Sequence, residues 1–115
     1  MPNKPRPLTD EAMIMIAHRF HVLGEPTRIR LLHSLYEGER NVSDLVALCR
    51  VSQTNVSRHL QTLADAGIVG RRRAGAQVFY SITDRTIFEL CDLVCRSLEI
   101  QHTARAAQLS RRTAR

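Results

Sequence analysis

No run of this chain approaches the roughly 18 apolar residues that a membrane span requires, so no membrane partner is expected. The opening ten residues, MPNKPRPLTD, lack the apolar stretch of a signal peptide, and a cytoplasmic protein is expected. Cysteine is scarce: Cys49, Cys91 and Cys95 are the three. An odd count argues against a disulfide framework, and in a reducing compartment all three are expected as thiols. Catalytic groupings are missing as well. No nucleophile, base and orienting acid occur together and no Gly-rich phosphate loop is present, so no enzyme is expected. Lysine is nearly absent, because Lys4 alone among the 17 Lys and Arg residues is not arginine. Genome composition explains that bias as readily as function does, so it is not read as selection for bidentate contacts.

What is present is a 115-residue chain with 43% apolar content. That is one globular domain, large enough for a core without disulfides or metal. Its net charge of +6 is unevenly placed. Residues 8–49 carry −2, residues 50–73 carry +4, residues 74–99 carry −2, and the two termini carry +6. A basic block with basic tails is the footprint of a polyanion binder. A solvated surface face is the alternative reading.

Residues 1–8 hold three prolines and read as a flexible lead. Thr9 or Asp10 caps a first helix over about residues 10–23, with Ala12, Met13, Ile16, Ala17, Phe20 and Leu23 at helical spacing. Ile14 and Met15 add a second apolar edge, and Gly24 ends the helix. Pro26 starts a second helix that Gly38 closes. Ser43 caps a short third helix, DLVALC, with Leu45, Val46 and Leu48 inward. Ser52 caps a fourth over about residues 53–66, ended by Gly67. The period then changes to that of strands. IVGRRR and QVFYSI flank a turn centred on Gly75 and read as a β-hairpin. A last helix follows over about residues 84–101. The fold expected is mostly α with a β-hairpin, in the order α-α-α-α-β-β-α, with a domain over residues 9–101 and a partly disordered basic tail over residues 102–115.

The stretch VSQTNVSRHLQTLADAGIVGRRR carries the chemistry. On a helical wheel Val56, Leu60 and Leu63 share one face. Thr54, Ser57, Arg58 and Gln61 fall opposite, with Asn55 alongside. The outward face thus offers short donors and acceptors for base edges and a cation for phosphate. A short helix, a tight connection at Arg50 and Val51, and this polar-faced helix make a helix-turn-helix. Such a unit lays its second helix in the major groove of double-stranded DNA. The hairpin sends Arg71 and Arg73 to one side and Arg72 to the other, within reach of a flanking phosphate or minor groove. A polar helix surface on a protein-docking module is the competing reading.

LGEPTRIRLLHSL, VSDLVALCRVSQTNVSRHLQTLADAGIV and GAQVFYSI together resemble the ArsR/SmtB family of winged helix-turn-helix repressors, over about residues 12–98. The resemblance implies a bacterial regulator, homodimeric on an inverted repeat and released from its operator by an inducer. It implies that Ser52, Gln53, Thr54, Asn55, Ser57, Arg58 and His59 lie in or beside the reading helix. His59 sits toward the buried flank of the wheel, where a satisfied structural histidine is the alternative. The apolar width of the first helix, and of the last with Ile87, Leu90, Val94 and Leu98 beside Phe88, Cys91 and Cys95, exceeds one core contact. A two-fold partner would cover the surplus, and the family pairs its subunits through these two helices.

The same resemblance removes two metal sites. Asn41 and Ser43 stand where the family's third-helix thiolates would be. Asp84 matches the first ligand of the last-helix zinc site, but Thr86, Ser97 and Ile100 fill the other three positions. The thiols of CDLVC remain. Cys91 and Cys95 lie one helical turn apart and can share a soft metal or metalloid ion. Packing as small hydrophobes is the alternative, and Cys49 reads as core. Three functions are therefore open: a repressor released by a metal, metalloid or thiol-reactive inducer; a DNA-binding regulator with no small ligand; and a winged-helix protein-interaction module.

Overall fold

Short polar residues fix the helix starts. In a computed structural model describing residues 4–113, the Thr9 hydroxyl accepts the N–H of Ala12 at 3.0 Å and opens α1, Asp10–Leu23. The Glu25 carboxylate does the same for Arg28, with Pro26 in the first turn of α2, Pro26–Ser34. Each such cap satisfies an N–H that the helix itself leaves unbonded. The second helix stops four residues short of the expected Gly38, because Leu35 leaves helical geometry and two turns follow.

The third helix corrects the expected cap. Asn41, not Ser43, accepts the N–H of Asp44, at 2.8 Å, and α3 runs Val42–Cys49. Just before it, Arg40–Asn41 forms a two-residue strand, β1, which the expected element order omits. It pairs antiparallel with β3, Gln77–Ile82, which pairs in turn with β2, Val69–Ala74. The sheet order is β1-β3-β2. The order along the chain is therefore α-α-β-α-α-β-β-α. Between the strand segments, α4 runs Gln53–Asp65, and Gly67, at φ 76°, makes the left-handed turn out of it.

Two compact units make up the chain, residues 1–83 and residues 84–115. In the first, Leu31, Leu32 and Leu35 of α2, Leu45 and Cys49 of α3, and Val56, Leu60 and Leu63 of α4 are buried together with Ile68, Val69 and Tyr80. Two expected core positions differ. Leu48 is 52% exposed, because Leu45 and Cys49, four residues apart, take the buried stripe of so short a helix. On α1 only Val22 and Leu23 are buried, so nearly the whole apolar surface of that helix faces outward.

The second unit is α5, Thr86–Thr113. Asp84 accepts the Thr86 N–H at its start. The helix continues past residue 101, through most of the segment expected to be a tail. Residues 1–3 of the expected lead and residues 114–115 of the expected tail lie outside the described residues. No helix among the described residues is long and apolar enough to cross a membrane.

Candidate nucleic-acid interface

The turn between α3 and α4 is made by Arg50, the one non-glycine residue at positive φ among the described residues, at φ 56° and ψ 42°. Its N–H closes α3 on the Val46 carbonyl at 2.9 Å. A left-handed conformation costs an L-residue roughly 1–2 kcal/mol, and here it is held between two caps. Two residues on, the Ser52 hydroxyl accepts the Asn55 N–H at 3.2 Å and starts α4. These local bonds define where α3 ends and α4 begins.

Helix α4 is divided as the wheel requires. Val56, Leu60 and Leu63 are buried, whereas Gln53, Thr54, Asn55, Ser57, Arg58 and Gln61 are exposed, with the capping Ser52 beside them. On that face Arg58 donates from Nη2 to Asn55 Oδ1 at 2.8 Å, and Gln61 donates from Nε2 to Asp65 Oδ1 at 2.8 Å.

His59 is the exception, and its surroundings fit the alternative reading of a satisfied structural histidine. It is buried, and its Nδ1 accepts from Arg28 Nε at 3.1 Å. Arg28 also donates to the Val22 carbonyl at 3.0 Å. The proton of the neutral ring therefore sits on Nε2, which lies 4.0 Å from the Glu25 carboxylate. Burial, the largest cause, holds the His59 pKa below the ordinary histidine range, against the pull of Glu25 upward. His59 thus ties the middle of α4 to the end of α1 and the start of α2. The sequence shows these partners only as the fragment EPTR, with nothing in the spacing to pair them with residue 59.

The hairpin stands beside α4. Gly75, at φ 63°, forms its tip. Register pairs Arg71 with Tyr80, Arg72 with Phe79 and Arg73 with Val78, so Arg71 and Arg73 share the face of the buried Tyr80 and Arg72 takes the other. Arg72 is not a free cation. It binds Glu39 through two hydrogen bonds, Nε at 3.0 Å and Nη2 at 2.7 Å, and its guanidinium lies 4.8 Å above the Phe79 ring. The hydrogen bond from Arg72 holds the Glu39 carboxyl below the usual carboxylate range, and the same bond pushes Arg72 up. Glu39, just before β1, is thus a structural partner of the hairpin that the sequence reading missed. No periodic signal links residues so far apart. Between hairpin and helix runs a groove of about 340 Å³, lined in part by Ser43, Ser57, Gln61, Arg71 and Gln77. Arg71 and Arg73 form no ion pair among the described residues.

A polar-faced helix behind a tight turn, with an arginine hairpin flanking it, is the geometry of a winged helix-turn-helix. Residues 25–70 match the family model described as bacterial regulatory protein, arsR family. A Streptomyces lividans protein named "Probable mercury resistance operon repressor" is 36% identical over 88 residues, 76% of this chain and 70% of that one. The chain belongs to the arsR family of bacterial regulatory proteins. Among solved structures, this arsR-family chain is similar to the antimony-specific transcriptional repressor AntR, with a TM-score of 0.76 and 30% identity over 89% of this chain and 93% of that one. It is also similar to a homodimeric winged helix-turn-helix DNA-binding domain of Mycobacterium bovis, with a TM-score of 0.68 and 26% identity over 83% of this chain and 91% of that one. This arsR-family protein is accordingly a DNA-binding transcriptional regulator.

The two thiols expected to share a soft ion, Cys91 and Cys95, lie on α5. Cys95 is exposed and Cys91 half-buried, and burial pushes the Cys91 thiol up. No group of three or more His, Cys, Asp or Glu side chains that could hold a metal ion occurs among the described residues. Of the two positions where the resemblance implies thiolates, Asn41 caps α3 and Ser43 lines the groove. Asp84 likewise holds the start of α5.

Proposed function

We propose that this protein represses transcription as a homodimer on an inverted repeat. The exposed face of α4 enters the major groove, and Arg71 and Arg73 of the hairpin reach the flanking backbone. The observation that carries this reading is the clean split of α4. Six polar residues on its outer face face solvent while its apolar stripe is buried, and the helix follows the tight turn at Arg50. The M. bovis relative, described as homodimeric, supports the two-fold arrangement, as do the uncovered apolar side chains of α1. Two reading helices would then lie about 34 Å apart, one turn of DNA.

The test is salt. Arg50, Arg58, Arg71 and Arg73 are exposed, and one phosphate met by each gives eight contacts in a dimer. The log–log dependence of DNA affinity on salt then has a slope of up to about −7. Binding indifferent to salt would instead favour a protein-docking module.

For the inducer, a soft metal or metalloid is supported by two relatives, one described by mercury resistance and one as antimony-specific. Cys91 and Cys95 would hold it. Each protomer brings two soft ligands, so completion falls to the partner's α5 or to solvent. Such an ion binds thiolate. Because Cys91 holds its proton more tightly than usual, binding must displace that proton and tightens as pH rises. Replacing Cys91 and Cys95 by Ser should abolish release of DNA by cadmium, arsenite, antimonite or mercuric ion, and leave DNA binding intact. Unchanged release would leave the thiols a packing role.

A further inference from the structure

We propose that Asn55 and Arg58 act as one reading unit that selects guanine over adenine, an inference that rests on the major-groove reading of α4. Taken separately, Asn55 would read a base and Arg58 a phosphate. The geometry joins them. The two lie at i and i+3 on α4, both exposed, with Arg58 Nη2 donating to Asn55 Oδ1 at 2.8 Å. A guanidinium has no acceptor, so the oxygen of the amide, not its nitrogen, must face Arg58.

That bond sets the chemistry presented outward. An unconstrained asparagine recognises adenine bidentately. Its oxygen accepts from the adenine amino group while its nitrogen donates to N7. Here the oxygen is turned toward Arg58, which takes one of its two lone pairs. Beside the one lone pair that remains stand the Asn55 amino group and the unused N–H groups of the guanidinium, a surface in which donors outnumber acceptors. Guanine displays two acceptors, N7 and O6, on its major-groove edge, whereas adenine displays one acceptor and one donor. A donor-rich pair satisfies both guanine acceptors, whereas the adenine amino group has only the remaining lone pair of Asn55 Oδ1 to meet. Arg58 is therefore a positioning residue for Asn55 as well as a cation.

The experiment is selection from a randomised duplex library by the full chain, compared with Arg58→Met, which keeps the side-chain stem, and Asn55→Ala. Both positions are exposed, and circular dichroism checks that each variant folds. The wild type should enrich guanine at one position per half-site. Arg58→Met should shift that same position toward adenine, changing the guanine-to-adenine ratio by roughly 5- to 100-fold. Asn55→Ala should weaken preference at the same base pair and at no other. A uniform loss of affinity in Arg58→Met, with base preferences intact, overturns the pairing while leaving groove binding in place. Failure of the wild type to enrich any sequence overturns the groove reading itself, and the pairing with it.

Discussion

Replacing Ile14 tests whether α1 is a subunit interface. Ile14 is 71% exposed, Met15 67%, Phe20 53% and Met13 51%, all on a single helix. Complete burial of a side chain of this kind is worth about 1.5–3 kcal/mol. Covering the open part of Ile14 therefore contributes about 1–2 kcal/mol. In a two-fold interface the position occurs twice, so Ile14→Ala should weaken dimerisation by about 2–4 kcal/mol. At 1.4 kcal/mol per tenfold, the dimer Kd rises roughly 30- to 700-fold. Ile14→Asp should do more, since a carboxylate must also be desolvated. Sedimentation equilibrium over a concentration series reads the Kd directly. Circular dichroism should show unchanged helix content, because the side chain has little to lose within its own protomer. DNA binding should become steeply dependent on protein concentration. A Kd that moves less than about threefold, with the fold intact, would refute the assignment of this helix to the interface.

Four further outcomes follow from the contacts around α4 and the hairpin. His59→Ala should lower stability by about 1–3 kcal/mol, the cost of leaving partly buried Arg28 without its acceptor, while base preferences in a library selection stay as in the wild type; altered preferences with unchanged stability would return His59 to the reading face. Because the folded protein depresses the His59 pKa, the neutral ring's contribution is complete above the unfolded value near 6.5. Stability should fall as pH drops below that value, and a urea titration series in which His59→Ala shows the same pH dependence would contradict this. Leu60→Ala, at a fully buried site of α4, should cost about 2–5 kcal/mol, read as a lowered urea midpoint. Glu39→Gln should loosen the hairpin and weaken DNA binding although it removes a negative charge; tighter binding would show that Glu39 acts only through repulsion of phosphate.

Much of this site could be read in the sequence because its causes are local. Caps at Thr9 and Ser52, the proline opening α2, and the glycine at the hairpin tip each act within a few residues. The apolar stripe of α4 is likewise a property of one helix. The misses share the opposite character. Two residues of β1 are too few to show a period, and their strand exists only because β3 lies beside them. Ser43 and Asn41 are both competent caps, and only the backbone decides between them. His59 lies at the edge of the wheel, and its burial depends on Arg28 and Glu25 arriving from another helix.

The arginines make the same point with functional weight. Read along the chain, residues 50–73 are a block of five like charges, and a polyanion site is the natural inference. Folding divides that block by task. Arg72 is engaged with Glu39 and Phe79. Arg58 is engaged with Asn55. Arg50 shapes the turn through its backbone while its side chain stays exposed. Arg71 and Arg73 form no ion pair among the described residues. Net charge therefore predicts that the molecule binds a polyanion, but the partition of that charge decides how the sites act. On the proposed reading, Arg72 acts through its internal partners, whereas Arg71 and Arg73 contribute salt-dependent affinity. Mutating Arg72 should accordingly disturb binding without reducing the salt slope by a full phosphate, and mutating Arg71 or Arg73 should reduce it by about one each.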